Sequence, residues 1–381
     1  MRRIYLDHAA TSPVRPEVRT AVEPILFGSA EEGFGNASSV HWAGQSARRH
    51  LEQARSRVAR VLSVAPSEVT FTSGGTEADN LALTAAAGGR LVLSAVEHPA
   101  VRAPAQTRHD VVEIGVDARG RLDLEGLGEA LGAGASLVSV MAVNNETGIV
   151  HDLDGVRALT RAAGVPLHVD AVQAAGRLPP AQYGAELVTL SGHKLGGLPG
   201  AGVLVVRGGA RVDPVLLGGP QERGRRAGTE PVAAAVALSV ALELAEAERA
   251  LEGERISALS ARLEAGVLAL PGVRALEGDS RVPGIRTFLF EGVDGEALLQ
   301  ALDLDGIAVS SGSACSSGSL EPSHVLLAMG VDPRLALSSV RFSLGRTTTA
   351  LDVEETLERL PGLLERARAV AQDSPAAYPM A

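Results

Sequence analysis

The sequence predicts an α/β protein with a large domain built on a mostly parallel sheet and a smaller C-terminal α/β domain. Three observations predict it. Up to about Leu251, short apolar runs alternate with helical stretches, the rhythm of repeated βαβ units. Beyond that point the texture changes to separate strands set between helices. The composition is 45% hydrophobic but only 3% aromatic, and the apolar set is mostly Ala, Leu and Val, which suits helix-rich α/β packing. A chain of 381 residues is too long for one ordinary core and accommodates two domains. We place the large domain at 14–250 and the small one at 1–13 together with 251–381.

The elements follow in order. Helices are expected at 16–27 and 39–62. Short apolar runs then mark strands at 69–72, 90–95, 111–116, 137–143, 166–169, 187–190 and 202–206. Helices at 76–87, 124–131 and 153–163 fill intervals between them. A long Ala/Leu/Glu helix spans 231–251, with Pro231 suited to its first turn. The second domain reads as a helix at 256–270, a strand at 285–290, a helix at 295–302 capped by Asp294, a strand at 340–344 and a closing helix at 351–372.

Charge and targeting signals narrow the function. The formal charge is −10, from 35 basic and 45 acidic residues, and no basic run or half appears. Arg223, Arg225 and Arg226 form only a short stretch broken by Gly224, so no nucleic-acid footprint is present. No apolar run suits a signal peptide or a membrane span. A lone cysteine cannot form an internal disulfide, so a reducing cytoplasm is the expected location. No metal site is expected.

Two residues with reactive side chains are single in their kind. Lys194 is the only lysine; every other basic residue is arginine. A lysine amine can deprotonate and condense with an aldehyde, whereas a guanidinium stays charged and is a poor nucleophile. Chance survival of one lysine is the competing explanation. Cys315 is the only cysteine, and it lies in a Ser/Gly stretch from Ser310 to Ser319 that reads as an exposed mobile loop. A structural cysteine prefers an apolar helix or strand, so a thiol here is either reactive or an incidental loop residue.

Motifs at strand ends point to one cofactor. Thr72-Ser73-Gly74-Gly75-Thr76-Glu77 follows a strand and opens a helix, a phosphate-binding geometry in which Thr76 can add a hydroxyl and a cap. It lacks the lysine of a nucleotide P-loop. Asp170 ends an apolar strand, either as the partner of a protonated pyridine nitrogen or as a helix cap. Ser191-Gly192-His193-Lys194 ends another. A phosphate cup, a carboxylate and the unique lysine together describe a pyridoxal-phosphate (PLP) site. His98 ends a strand and suits ring stacking or proton transfer; a satisfied loop histidine is the alternative. Asn145 offers amide donors after 137–143. Arg341, within an apolar strand, suits a substrate carboxylate or a structural salt bridge, with Arg346 as a nearby rival.

These residues resemble the iron–sulfur-cluster type (group I) cysteine desulfurases of the class-V aminotransferase family, within the fold-type I PLP-dependent transferases. The resemblance runs through Tyr5–Thr11, Gly35–Ser39 with His41, Thr72–Thr76, Val143–Gly148, His168–Gln173, Ser191–Lys194, Gln221–Thr229, Ser310–Cys315, Leu320–Ser323 and Val340–Arg346. It implies that Lys194 holds PLP covalently and that Gly75, Thr76, Ser191 and His193 serve its phosphate. Asp170 then partners the pyridine nitrogen, Gln173 the phenolic oxygen, and His98 stacks on the ring as an acid/base. Asn145 and Arg341 orient the substrate, L-cysteine, and Cys315 takes its sulfur as a persulfide. Thr229 reaches the phosphate of a neighbouring subunit, which implies a homodimer. The implied reaction gives L-alanine, and the sulfur passes to an acceptor protein for iron–sulfur cluster assembly or tRNA thiolation. Departures from the pattern are Pro220 in place of a third glycine, His151 where glutamine is usual, and a short C-terminal region. Two other readings fit parts of the same set. A selenocysteine lyase or other PLP aminotransferase-like enzyme would use Lys194 without needing Cys315. A non-catalytic dimeric scaffold would need none of Lys194, Asp170 and Cys315.

Overall fold

A computed structural model describes residues 2–28, 34–86, 88–311 and 321–373. The chain opens with strand β1 (Ile4–Tyr5) and helices α1 (Pro16–Phe27) and α2 (Trp42–Leu62). Next come β2 (Val69–Thr72), α3 (Gly75–Leu83), β3 (Arg90–Ser94), α4 (Pro99–Gln106) and β4 (Val111–Ile114). Then follow α5 (Leu124–Gly132), β5 (Ala135–Ser139), α6 (Leu153–Ala163), β6 (Leu167–Asp170), β7 (Leu187–Ser191) and β8 (Gly202–Val206). After α7 (Val232–Leu268) lie β9 (Val273–Ala275), β10 (Ile285–Phe290), α8 (Gly295–Leu304) and β11 (Ile307–Ala308). The short helices α9 (His324–Ala328) and α10 (Pro333–Leu337), β12 (Ser339–Ser343) and α11 (Ala350–Asp373) complete it.

The central sheet has seven strands in the order β2-β8-β7-β6-β5-β3-β4. Its pairs are parallel except those made by β8, which runs antiparallel to both β2 and β7. The strands β2, β6, β7 and β8 are buried along their whole length, as expected for a sheet covered on both faces. Because Ser191 pairs with Gly202, the segment between β7 and β8 returns directly on itself, and Lys194 sits in that return. The ends of β2, β3, β6 and β7 that carry the motifs all fall on one edge of the sheet, since β2 and β7 flank β8 in the same sense.

Apolar side chains gather into two large clusters. One holds the central sheet, α2 and the first half of α7, including Val236, Leu238 and Leu242. The other holds Ile4 and Leu6 with Ile256, Leu263, Phe288, Phe342 and Leu360. Helix α7 serves both, and this corrects the expectation of separate helices at 231–251 and 256–270. Gly253 lowers helix propensity by about 1 kcal/mol, but Arg255 anchors the turn by donating to Thr348 O at 2.6 Å and pairing with Glu252 at 2.8 Å. The boundary we propose at 250 therefore falls inside one continuous helix. Helix α2 begins at Trp42 rather than 39, because His41 Nδ1 caps it by accepting from Gly44 N. Helices α4, α9 and α10 and strands β1, β9 and β11 are too short to leave a periodic signal. Asp294 caps α8 as expected, accepting from Ala297 N at 2.9 Å. Among the described residues no helix is long and apolar enough to cross a membrane.

One buried ion pair ties α2 to β2. Arg55 donates through both Nη atoms to the Glu222 carboxylate at 2.8 Å, and Phe71 N donates to the same group at 2.9 Å. These bonds hold Glu222 and Arg223 at positive φ, 46° and 59°, which non-glycine residues adopt only under constraint. The pair also leads into the 224–229 segment. Removing one partner leaves a buried charge without compensation, so Glu222→Ala is expected to cost about 3–5 kcal/mol in urea denaturation. A loss under about 1 kcal/mol would contradict that account.

Candidate active site

The motif-bearing edge of the sheet encloses a cavity of about 300 Å³. Except for Cys315 and Thr229, every site residue expected from the sequence lines it. Thr229 is exposed and stands away from the cavity. Cys315 lies outside the described residues.

The first turn of α3 forms one end. Its leading backbone N–H groups lack helical partners and carry the positive end of the helix dipole. Gly74 is the N-cap and Thr76 the second helical residue, so Thr76 does not cap the helix as expected. Its exposed hydroxyl instead stands at the helix entrance. A Cβ on Gly75 would come within 3.1 Å of Val172 Cγ2 and 3.5 Å of Ser191 Cβ, so only glycine keeps this end open. His193 Nδ1 meets Thr11 Oγ1 at 3.1 Å, and burial with the neighbouring Lys194 charge brings the ring down to about 4.

Lys194 and Asp170 share the cavity. Lys194 Nζ donates to Ala9 O at 2.7 Å and Ala10 O at 2.6 Å, carbonyls of the segment after β1. Asp170 Oδ1 accepts from Val172 N at 2.9 Å. One oxygen thus caps the following turn, and the residue lines the cavity. Burial raises Asp170 to about 6, against the Val172 N–H and the Lys194 charge, which favour the carboxylate. A second carboxylate stands beside it. Asp79 is buried, lines the cavity and is raised by burial and by the Asp170 charge. Among the described residues its Oδ1 has no hydrogen-bond partner, and His168 Nε2 lies 3.5 Å away. Gln173 Nε2 donates to Ala9 O, and its Oε1 accepts from Arg177 Nη1, both at 2.9 Å, which fixes the amide's orientation.

The opposite wall carries His98, Asn145 and Arg341. His98 Nδ1 accepts from Ala100 N at 3.1 Å and caps α4. The neutral ring therefore carries its proton on Nε2. Burial first, then the Lys194 charge, lowers His98 to about 4, so it is uncharged at neutral pH. Arg341 Nη2 pairs with Asp7 Oδ1 at 2.8 Å and Nη1 donates to Asn145 O at 2.9 Å, so the salt-bridge reading of Arg341 holds. Arg341 lines the cavity as well, and its buried Nε has no partner among the described residues. Arg346 lines a different cavity and is no rival at this one. Asn144 shapes the turn that presents Asn145: its Oδ1 accepts from Glu146 N at 3.0 Å and Thr147 N at 2.9 Å.

Sequence reasoning missed Asp79 and Glu97. Asp79 lies within the mostly apolar stretch Ala78–Leu83 and Glu97 directly follows Val92–Val96; an acid on an apolar helix face is the signal that could have found Asp79. Glu97 is fully buried next to His98. Its Oε1 accepts from Met141 N at 2.8 Å and contacts Ser94 Oγ, and burial pushes it up to about 8.

The donor set fits a flat, phosphate-bearing pyridine aldehyde. The glycine-lined helix N-terminus suits a phosphate. Two raised carboxylates, one with an orphaned oxygen, call for a positive partner deep in the cavity, which a protonated ring nitrogen supplies. The only amine among the side chains borders the same space.

Comparison with known proteins shows the family. The chain matches the aminotransferase class-V family over residues 4–356. It is 43% identical over 383 residues to a cysteine desulfurase of Gluconacetobacter diazotrophicus, covering 97% of this chain and 95% of that protein. It is 38% identical over 388 residues to the cysteine desulfurase IscS of Dictyoglomus turgidum, covering 97% and 96%. The solved structure of a NifS-like protein from Rickettsia africae is similar with a TM-score of 0.89 at 32% identity, covering 96% of this chain and 100% of that one.

Glu97 generates a test. Between its ordinary value of 4.5 and its folded value of about 8, the native chain keeps a proton that the unfolded chain releases. Stability from this group therefore falls as pH rises through that window. Glu97→Gln cannot ionise, so its urea midpoint should decline less than the wild type's between about pH 5 and pH 8. Parallel declines would show that Glu97 is not held protonated.

Proposed function

The chain belongs to the aminotransferase class-V family and is a cysteine desulfurase; from that premise we propose which of its residues carry the reaction. Lys194 is the residue that holds PLP. Gly75, Thr76, Ser191 and His193 hold its phosphate, Asp170 its ring nitrogen and Gln173 its phenolic oxygen. The observation that carries this reading is the convergence of these groups on the cavity that the only lysine borders. Bound PLP supplies an electron sink that stabilises negative charge at the substrate Cα and weakens the Cβ–S bond.

The chain's own groups do the rest. Arg341 and Asn145 orient the L-cysteine carboxylate, with Asp7 holding the guanidinium in place. The neutral Lys194 amine, once free, takes the Cα proton. His98, uncharged with its proton on Nε2, would stack on the cofactor ring and pass a proton to or from substrate. The Cys315 thiolate attacks the substrate sulfur. A sulfur–sulfur bond forms, the Cβ–S bond breaks, and its electron pair leaves with the carbon fragment, which is protonated to L-alanine. One cysteine and one enzyme thiol thus become one alanine and one enzyme persulfide, with no external oxidant.

The flanks of the cysteine segment support this assignment. Ser310 exchanges backbone hydrogen bonds with Arg341, at 2.7 and 3.2 Å. On the other side, the Ser323 hydroxyl donates to Glu146, the residue after Asn145. Cys315 stands five residues after Ser310, a reach of at most about 18 Å from the backbone partner of the cavity residue Arg341. Thr229, exposed and outside the cavity, is assigned to the phosphate of a second subunit, which makes the working form a homodimer. The persulfide passes to an acceptor protein for iron–sulfur cluster assembly or tRNA thiolation in the cytoplasm.

Cys315→Ser is expected to keep the yellow absorbance of the holoenzyme while sulfide and alanine fall to the level of a no-enzyme control. Normal turnover by this variant would remove Cys315 from the reaction. Lys194→Ala should lose at least about 10²-fold in alanine formation even when saturated with PLP.

A further inference from the structure

Lys194 also borders a second cavity, of about 110 Å³, walled by residues 12–15, 175–177, the middle of α7 and 344–347. The space is too small for the cofactor. It holds several times the roughly 10–15 Å³ that one water needs, enough for an ion of about five heavy atoms.

The charges around it do not balance. Two acids face the cavity, and each is already paired: Glu248 with Arg15 at 2.7 Å and Glu252 with Arg255 at 2.8 Å. Arg177 and Arg346 line the same walls with no ion pair among the described residues. Arg177 has only Gln173 for company, through Nη1 to its backbone and amide oxygens at 2.9 Å. A guanidinium set this deep without an anion is costly. Its burial, with Arg341 nearby, brings Arg177 down to about 10. His8, on the same wall, is held neutral by burial and by the charges of Arg177, Arg255 and Arg346, only partly offset by Asp352. Its ring contacts Ser12 Oγ at 3.1 Å and Thr347 Oγ1 at 3.2 Å, and both hydroxyls border the space.

We propose that this second cavity binds a small oxyanion, a carboxylate or a phosphate, between the Arg177 and Arg346 guanidiniums. The anion supplies the negative charge that the two arginines lack, and the Ser12 and Thr347 hydroxyls complete its hydrogen bonding. The site is separate from the phosphate end of the first cavity, which the Gly75–Thr76 helix entrance forms.

The test is calorimetric titration of inorganic phosphate into the PLP-loaded enzyme, in which the cofactor's own phosphate blocks the Gly75–Thr76 end. Saturable binding with one phosphate per chain is expected, weakened about tenfold or more in Arg346→Gln and in Arg177→Gln. A parallel titration with acetate tells a carboxylate-reading site from a phosphate-reading one by which anion binds more tightly. Absence of saturable binding of either anion by the wild type overturns the proposal. So does an Arg346→Gln protein that binds as tightly as the wild type. The Arg346 side chain is exposed and makes no ion pair among the described residues, so its variant folds even if loss of Arg177, which also orients Gln173, does not permit folding. Unchanged PLP absorbance in a variant assigns lost binding to this cavity. No readout uses cysteine or its products, so failure here is distinct from failure of the catalytic assignments.

Discussion

An amine and two carboxylates enclosed in one cavity form the constraint on which the rest of the site depends. Lys194, Asp170 and Asp79 all border the same space; burial raises both carboxylic acids, the Asp170 charge raises Asp79 further, and the Lys194 charge favours the Asp170 carboxylate. The Lys194 charge opposes the rise of Asp170, and burial, reinforced by that charge, holds both His98 and His193 uncharged. A second cation at the Asp170 end would keep that carboxylate ionised, the part that the proposed function gives to the protonated pyridine ring of PLP.

The same constraint explains why the site spans two apolar cores. Asp170 and the return carrying Lys194 grow from the central sheet. The carbonyls that hold Lys194 belong to the segment after β1, whose Ile4 and Leu6 pack in the other core. Arg341 comes from β12 in that second core and reaches back to Asp7 and Asn145. Helix α7 contributes to both cores and keeps them in register. Anything that shifts the second core therefore moves the amine's hydrogen-bond partners and the arginine together, and both flanks of the Cys315 segment with them.

Much of this was legible in the sequence because the chemistry demands unusual residues at strand ends. One lysine among 35 basic residues stood out by type alone, and the buried strands bore plain apolar runs. Less was legible where tertiary contacts decide. The single helix α7 reads as two because Gly253 and its charged neighbours break the pattern, while a contact from outside the helix, Thr348 O to Arg255, holds that turn in place. The antiparallel sense of β8 leaves no trace in its own residues. Asp79 and Glu97 were invisible because an acid in a sequence reads as surface until its burial is known. Arg341 and Arg346, five residues apart on one segment, were alternatives for one role until the fold sent them to different cavities.

The most direct measurement is borohydride reduction of the PLP-loaded protein followed by peptide mapping. The account predicts one stable pyridoxyl group per chain, on the peptide that contains Lys194 and on no other. A reduced protein with an unmodified Lys194, or with the label elsewhere, would contradict it.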